Sequence, residues 1–241
     1  MIVTPSPVVV KVGGYPFEPF VEEQLGVTPA FLTMLNGRQS KVRFEFMAIP
    51  AQRRYELMAR GVIDAVFFEM PVWGWQDFAD QIDVSKPILK GREMFVALAE
   101  NPEGASLFAL APRSKVALTL GYHYAFTDFR SDQSFIRTKV DAVFAEKLSD
   151  TLRYLQSGVV DVGVMSDIFL YHEFQRQPGL RGKLLLSKKI DHEYALPLIV
   201  RRGGAISAKD LDAIIEQAIA DGSLQAFFAG FGLSDTLMVP Q

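Results

Sequence analysis

Few stretches of this chain combine polar and aromatic side chains in a way that could do chemistry. Its three histidines, His123, His172 and His192, form neither an i,i+4 pair nor an H-E-x-x-H pattern, so no metal is expected. The chain has no cysteine, which removes disulfides and thiolate ligands. It also has no G-x-S-x-G elbow, P-loop or G-x-G-x-x-G fingerprint, and no cofactor or catalytic residue is assigned. Asp64 and Asp161 can be imagined as a carboxylate pair. Each stands at the entry of an apolar run, and a carboxylate there more readily holds nearby backbone than performs acid–base work. What remains are clusters of aromatic and polar side chains. These are Tyr15 with Phe17, Glu69-Met70 with Trp73 and Trp75, Tyr122-His123-Tyr124, and Ser166-Asp167. Arg53 and Arg54 are adjacent, so on a helix they point to different faces, one available to a ligand and the other to solvent.

The elements that must position these clusters come from a repeat. Residues 54–64, RYELMARGVID, read as a helix that stops at Gly61 and feeds the apolar strand Ala65 to Phe68. The same order recurs 97 positions further on, from Gly61 to Gly158. Residues 151–161, TLRYLQSGVVD, run into Val162-Gly163-Val164-Met165. Glycine suits the left-handed position where a helix ends, and an apolar run directly after it suits a parallel strand buried on both faces. Two α/β halves built alike follow from this. Ligands of open α/β sheets sit beyond the carboxyl ends of strands, which places Glu69-Met70 and Ser166-Asp167 at a site.

Composition sets outer bounds. A chain of 241 residues suits one large domain or two of about 100–120. A net charge of −3 gives no general pull toward nucleic acid or an anionic membrane. No apolar run approaches the ~18 residues of a membrane span. The opening MIVTPSPVVV lacks a charged start, an apolar stretch and a cleavage site, which leaves open a cytoplasmic protein or a mature form with a starter Met.

Taken in order, Val8 to Val12 reads as the first strand, and the two prolines of Tyr15 to Phe20 make an extended loop with three aromatics. Composition leaves open whether these aromatics cap the core or wall a pocket. Thr28-Pro29 predicts a helix start with Thr as N-cap. The Trp73-Gly74-Trp75 turn favours a pocket or partner surface over core packing. Asn101-Pro102-Glu103-Gly104 is the clearest break, and a lobe boundary is expected just before it. The second half opens with strand Val116 to Leu120 and Gly121-Tyr122, echoing Val8 to Tyr15. Residues 125–139 show no clear pattern. Tyr194 to Val200 predicts a strand returning to the first lobe, and Ser207-x-x-Asp210 a capped helix stopped by Gly222.

Several stretches together carry a resemblance. Val10 to Phe20 is similar to a first strand with a Tyr-Pro-Pro-Phe loop. Leu57 to Phe67 and Leu155 to Val164 are similar to the two copies of a Leu-x-x-Gly-x-Ile-Asp unit, and Asp83 to Pro87 to an Asp-Phe-Ser-x-Pro segment. Tyr194 to Arg201 and Ile219 to Phe228 resemble a hinge strand and a closing helix pair. Over nearly its whole length the chain resembles bacterial extracellular solute-binding proteins of family 3, the periplasmic receptors of amino-acid ABC importers, as a divergent member. The resemblance implies an α/β, two-lobed periplasmic-binding-protein fold of type II (Venus-flytrap) with two hinge strands. Lobe 1 would be residues 1–97 plus 196–241 and lobe 2 residues 98–195.

It also implies a non-enzymatic, periplasmic monomer that clamps a small-molecule ligand and hands it to an ABC transporter membrane permease, without nucleic acid or direct membrane insertion. Alternatives on the same scaffold are a ligand-sensing or partner-docking domain, and a cyclohexadienyl-dehydratase-like enzyme using Glu69 or His123. The ligand-binding residues it implies are Tyr15, Phe17, Arg53, Glu69, Met70, Trp73, Trp75, Tyr122, His123, Tyr124, Ser166 and Asp167. The chain departs from the pattern where amino-acid binders carry the carboxylate-binding Arg, since Gln76 or Asp77 stands there. Gly121 to Tyr124 replaces Gly-Ser-Thr, and Ser166 replaces the amine-binding Asp. These departures imply a ligand other than a standard α-amino acid, with Arg53 as a substitute anion contact.

Overall fold

The computed structural model describes residues 6–238, so part of the N-terminal stretch read for a leader lies outside them. The strands are β1 (Val8–Gly14), β2 (Val42–Ala48), β3 (Ala65–Phe67), β4 (Ile82–Val84), β5 (Leu89–Leu98), β6 (Lys115–Thr119), β7 (Asp141–Ala145), β8 (Val162–Ser166), β9 (Leu184–Leu196) and β10 (Leu198–Arg201). The helices are α1 (Val27–Asn36), α2 (Arg54–Ala59), α3 (Gln133–Arg137), α4 (Leu148–Gln156), α5 (Asp167–Arg176), α6 (Ala208–Ala220) and α7 (Ser223–Gly230). Two five-stranded sheets result, ordered β2-β1-β3-β10-β4 and β7-β6-β8-β5-β9. β1 runs parallel to β2 and β3, and β6 parallel to β7 and β8. β10 and β5 enter antiparallel. This is the two-lobed α/β fold expected from the sequence.

The repeat shapes both lobes in the same way. Gly61 and Gly158 stand at φ 67° and 71°. Val62 N donates to Leu57 O at 2.9 Å and Val159 N to Tyr154 O at 3.0 Å, so both helices end in the same six-residue cap. Next, Asp64 N donates to Lys11 O and Asp161 N to Lys115 O, setting the strands in matching registers, Val12 beside Ala65 and Val116 beside Val162. The Asp64 carboxylate accepts from Lys11 N at 3.0 Å and from Arg201 Nη2 at 2.9 Å, a structural role.

Other expectations meet local corrections. α1 begins at Val27 with Gly26 as N-cap and no side-chain cap. Pro19 O and Phe20 O accept from Val27 N and Thr28 N, so carbonyls of the preceding loop do what the Thr28 hydroxyl was expected to do. Ser207 does cap α6, accepting from Asp210 N. Residues 125–139 form a short 3-10 turn, two left-handed residues (Asp128 and Phe129) and α3, which Asp132 caps.

The chain passes between the sheets at two adjoining places. Ser85 Oγ accepts from Leu198 N at 2.8 Å, Ser85 N donates to Leu198 O, and Ile88 N donates to Leu196 O. β5, which starts at Leu89, belongs to the second sheet. The sheet therefore changes ahead of the Asn101–Gly104 turn, because turn residues mark surface loops and a crossing between layers is itself extended strand. Among the described residues no helix is long and apolar enough to cross a membrane, and no cluster of His, Asp and Glu could hold a metal ion.

Candidate functional site

The carboxyl ends of β1, β3 and β6 converge where the two lobes meet. Past β1, Tyr15 and Phe17 are buried with their rings 6.3 Å apart. Phe20 stacks on Phe17 with ring centroids 4.9 Å apart and meets the Phe68 ring of the core at 4.9 Å, so the loop serves both a wall and a lid. Past β3, Glu69 is fully buried, and Trp73 packs edge-on against Phe17 and Tyr194. From the second lobe, Tyr122 packs edge-on against Tyr15 and Phe17.

The charge at the centre comes from Arg54, the first residue of α2, which is 1% exposed. Its Nε lies 3.1 Å from Glu69 Oε2. Its other nitrogens donate to Ala51 O (2.6 Å), Trp73 O (3.1 Å) and Gly121 O (3.3 Å). The guanidinium also lies over the Tyr15 and Tyr55 rings, at 4.7 and 4.4 Å. Burial pushes the Glu69 carboxyl up and Arg54 pulls it back, while Arg54 itself stays protonated beside Glu69. Burial, then Glu69, raises the Tyr15 hydroxyl well above its ordinary range.

Direct polar contacts hold the lobes together. Tyr122 Oη donates to Pro16 O at 2.9 Å, and Glu18 accepts from Ser149 N (2.6 Å) and Oγ (2.9 Å). Trp73 Nε1 donates to His192 Nε2 at 3.2 Å, while His192 Nδ1 bonds Asp191 Oδ2. His123 Nδ1 lies 2.6 Å from Phe129 O, which can only accept, so Nδ1 carries the proton of the neutral ring. Nε2 lies 2.9 Å from Tyr55 Oη, whose one proton is shared between Nε2 and Trp73 O at 2.5 Å. Burial, then Arg54, lowers the His123 pKa to about 4. At Gly74 (φ 84°) an added Cβ would collide with Tyr55 Oη and come within 2.8 Å of His123 Cε1, so this close approach requires glycine.

The interlobe cavity is about 10 Å³, room for one water, lined by Tyr15, Phe17, Arg54, Trp73, Glu93, Tyr122 and His123. Of the residues singled out from sequence, Tyr15, Phe17, Trp73, Tyr122 and His123 line it. Glu69 stands one contact behind, on Arg54. The others lie elsewhere. Arg53 is exposed and pairs with Glu56, so Arg54 is the inward guanidinium. Met70 is partly buried against the core, and Trp75 is in the core against Tyr55 and Phe78. Tyr124 packs into the second lobe and accepts from Thr119 N. Ser166 caps α5 through Phe169 N. Asp167 accepts from Arg92 N and Nε and lines a separate surface hollow of about 840 Å³. Sequence reading weighed Arg54 but took Arg53 as the inward contact, and it passed over Glu93. The signal for Glu93 was a lone carboxylate on the face that strand alternation gives to Leu89, Gly91, Phe95 and Ala97.

No family model and no curated protein matches this sequence. Among solved structures, one described as the substrate-binding protein of an amino acid ABC transporter is 15% identical with a TM-score of 0.69, covering 92% of this chain and 98% of its own. An arginine transport system periplasmic binding protein from Legionella pneumophila is 16% identical with a TM-score of 0.70, covering 93% and 99%. An ancestral amino-acid-binding protein, described as a precursor of cyclohexadienyl dehydratase, is 16% identical with a TM-score of 0.68, covering 93% and 95%. The chain thus shares the two-lobed solute-binding-protein fold over nearly its whole length.

Proposed function

We propose that this chain is a non-enzymatic receptor for a small organic solute, held between the lobes and released when they part. The observation that carries the reading is the aromatic cavity between the lobes, with its buried arginine–glutamate pair, at the carboxyl edges of both sheets. The fold shared with solute-binding proteins supports a periplasmic location and delivery to an ABC importer. Arg54 is taken by Glu69 and three carbonyls, which supports a ligand other than a standard α-amino acid. Glu69 and His123, the candidate acid and base of an enzyme on this scaffold, are committed to Arg54 and to Tyr55 with Phe129 O.

One observation favours a second reading, a domain that keeps the two-lobed shape for sensing or docking. The cavity is about 10 Å³, so any ligand larger than a water requires the lobes to move apart. Thermal unfolding against amines, amino acids, aromatic acids and dicarboxylates tests the first reading. A ligand at 100 times its Kd adds about 2.7 kcal/mol, raising Tm by roughly 5–10 °C for a chain of this size. The expected outcome is a clear rise with one chemical class, together with a change in fluorescence from Trp73. A flat panel on ligand-free protein gives the docking reading precedence.

A further inference from the structure

β5 carries a glutamate into the interlobe cavity where strand composition calls for an apolar residue. Glu93 is 2% exposed, and its Oε2 has no hydrogen-bond partner. A buried carboxylate left so is costly unless it is neutralised or matched by a cation. The chain's own cations are engaged elsewhere, Arg54 with Glu69 and Arg92 with Asp167. Asp191 and Asp167 act on Glu93 as further negative charges. Arg54 is matched by Glu69, so no protein cation at the cavity matches an ionised Glu93, and burial holds that carboxyl toward its neutral form until a cation arrives. Tyr15, Phe17, Trp73 and Tyr122 line the same cavity, and aromatic faces attract cations.

Resting on the receptor reading above, we propose that the solute is a small organic amine whose primary ammonium head seats against Glu93 within the aromatic wall of Tyr15, Phe17, Trp73 and Tyr122. Three donors on one nitrogen meet the unpartnered oxygen, and the positive charge completes the inventory of the cleft. With Arg54 engaged by Glu69, no free cation waits for a ligand carboxylate, so the amine is preferred to its amino-acid counterpart. A primary ammonium brings N–H donors to the Glu93 carboxylate, whereas a trimethylated head has none to give. The rest of the molecule is accommodated as the lobes separate.

The test is calorimetric titration of the wild-type protein and the near-isosteric variant Glu93→Gln with n-butylamine, 1,4-diaminobutane, butyltrimethylammonium, butyrate and 4-aminobutyrate. A primary amine should bind, with the trimethylated analogue and butyrate at least tenfold weaker, and Glu93→Gln should weaken the amine at least thirtyfold. Far-UV circular dichroism of the variant secures its fold, and Glu93→Asp, which keeps the charge on a shorter arm, should lose less affinity than the amide. Amine affinity unchanged in Glu93→Gln overturns the proposal. So does binding of butyrate or a neutral solute without any amine, an outcome that leaves the receptor reading standing. Failure of every compound here and in the wider panel removes both.

Discussion

Arg54 and Glu69 form a buried ion pair, and two opposite effects decide what it is worth. Taking both charges from water is costly, while their attraction and the three carbonyls on the guanidinium offset that cost. Removing one partner leaves the other charge uncompensated. Arg54→Met is therefore expected to lose about 3–5 kcal/mol in urea denaturation. Arg54→Met combined with Glu69→Met is expected to recover part of this, short of the wild type, because Gly121 O would still lose its guanidinium donor. Equal losses in the single and double variants would show that the pair adds nothing beyond packing.

At the scale of elements, the helix–glycine–strand unit makes a sharper prediction because it occurs twice. Gly158 has open space where a Cβ would stand, so Gly158→Ala tests the left-handed backbone alone. It should cost about 1 kcal/mol in thermal or urea unfolding. Gly61→Ala should cost at least as much, since the Arg201 guanidinium lies 3.4 Å from the added carbon. A neutral Gly158→Ala would mean that the six-residue cap does not fix the strand register.

These elements were legible in the sequence for local reasons. A glycine at C′, an apolar run after it and a Ser-x-x-Asp cap each act within a few residues. The aromatic side of the site was legible in part, because Tyr15, Trp73 and Tyr122 follow strand ends. Which of two adjacent arginines turns inward was not, since that depends on how α2 sits against the second lobe. Nor was the start of the second sheet at β5, because strand pairing is decided by partners about 100 residues away, Leu89 beside Leu196. Thr28 failed as a cap for the same kind of reason, its role being taken by carbonyls of a neighbouring loop.

On the scale of the whole molecule, the contact between lobes carries a titrating group. The His123 pKa is lowered from its ordinary 6.5 to about 4, so between these values the folded state binds fewer protons than the unfolded chain. Its contribution to stability is present above pH 6.5 and is lost as pH falls toward 4. Protonation also sets a second positive charge near Arg54 at the buried lobe contact. Small-angle scattering should therefore report a larger radius at pH 4 than at pH 7, and Tm should drop over the same range. Glu93 has the opposite sign. Burial raises its carboxyl well above 4.5, and the stability this confers is lost as pH rises through the raised value. In Glu93→Gln that opposing slope is gone, and the acid loss from His123 should stand out more steeply. A flat response in the variant would remove His123 from this role.

The paired crossings at Ser85–Ile88 and Leu196–Leu198 have one more consequence. Residues 89–196 depart from the first sheet and come back to it at neighbouring points, Leu89 lying directly beside Leu196. Topologically the second lobe is a cassette spliced into the first, with its own ends touching. Joining Ile88 to Pro197 through a tight turn would leave β2-β1-β3-β10-β4 in the same order. The touching ends of the excised cassette could likewise be sealed or moved to another loop, which makes the molecule a natural host for exchanging one second lobe for another.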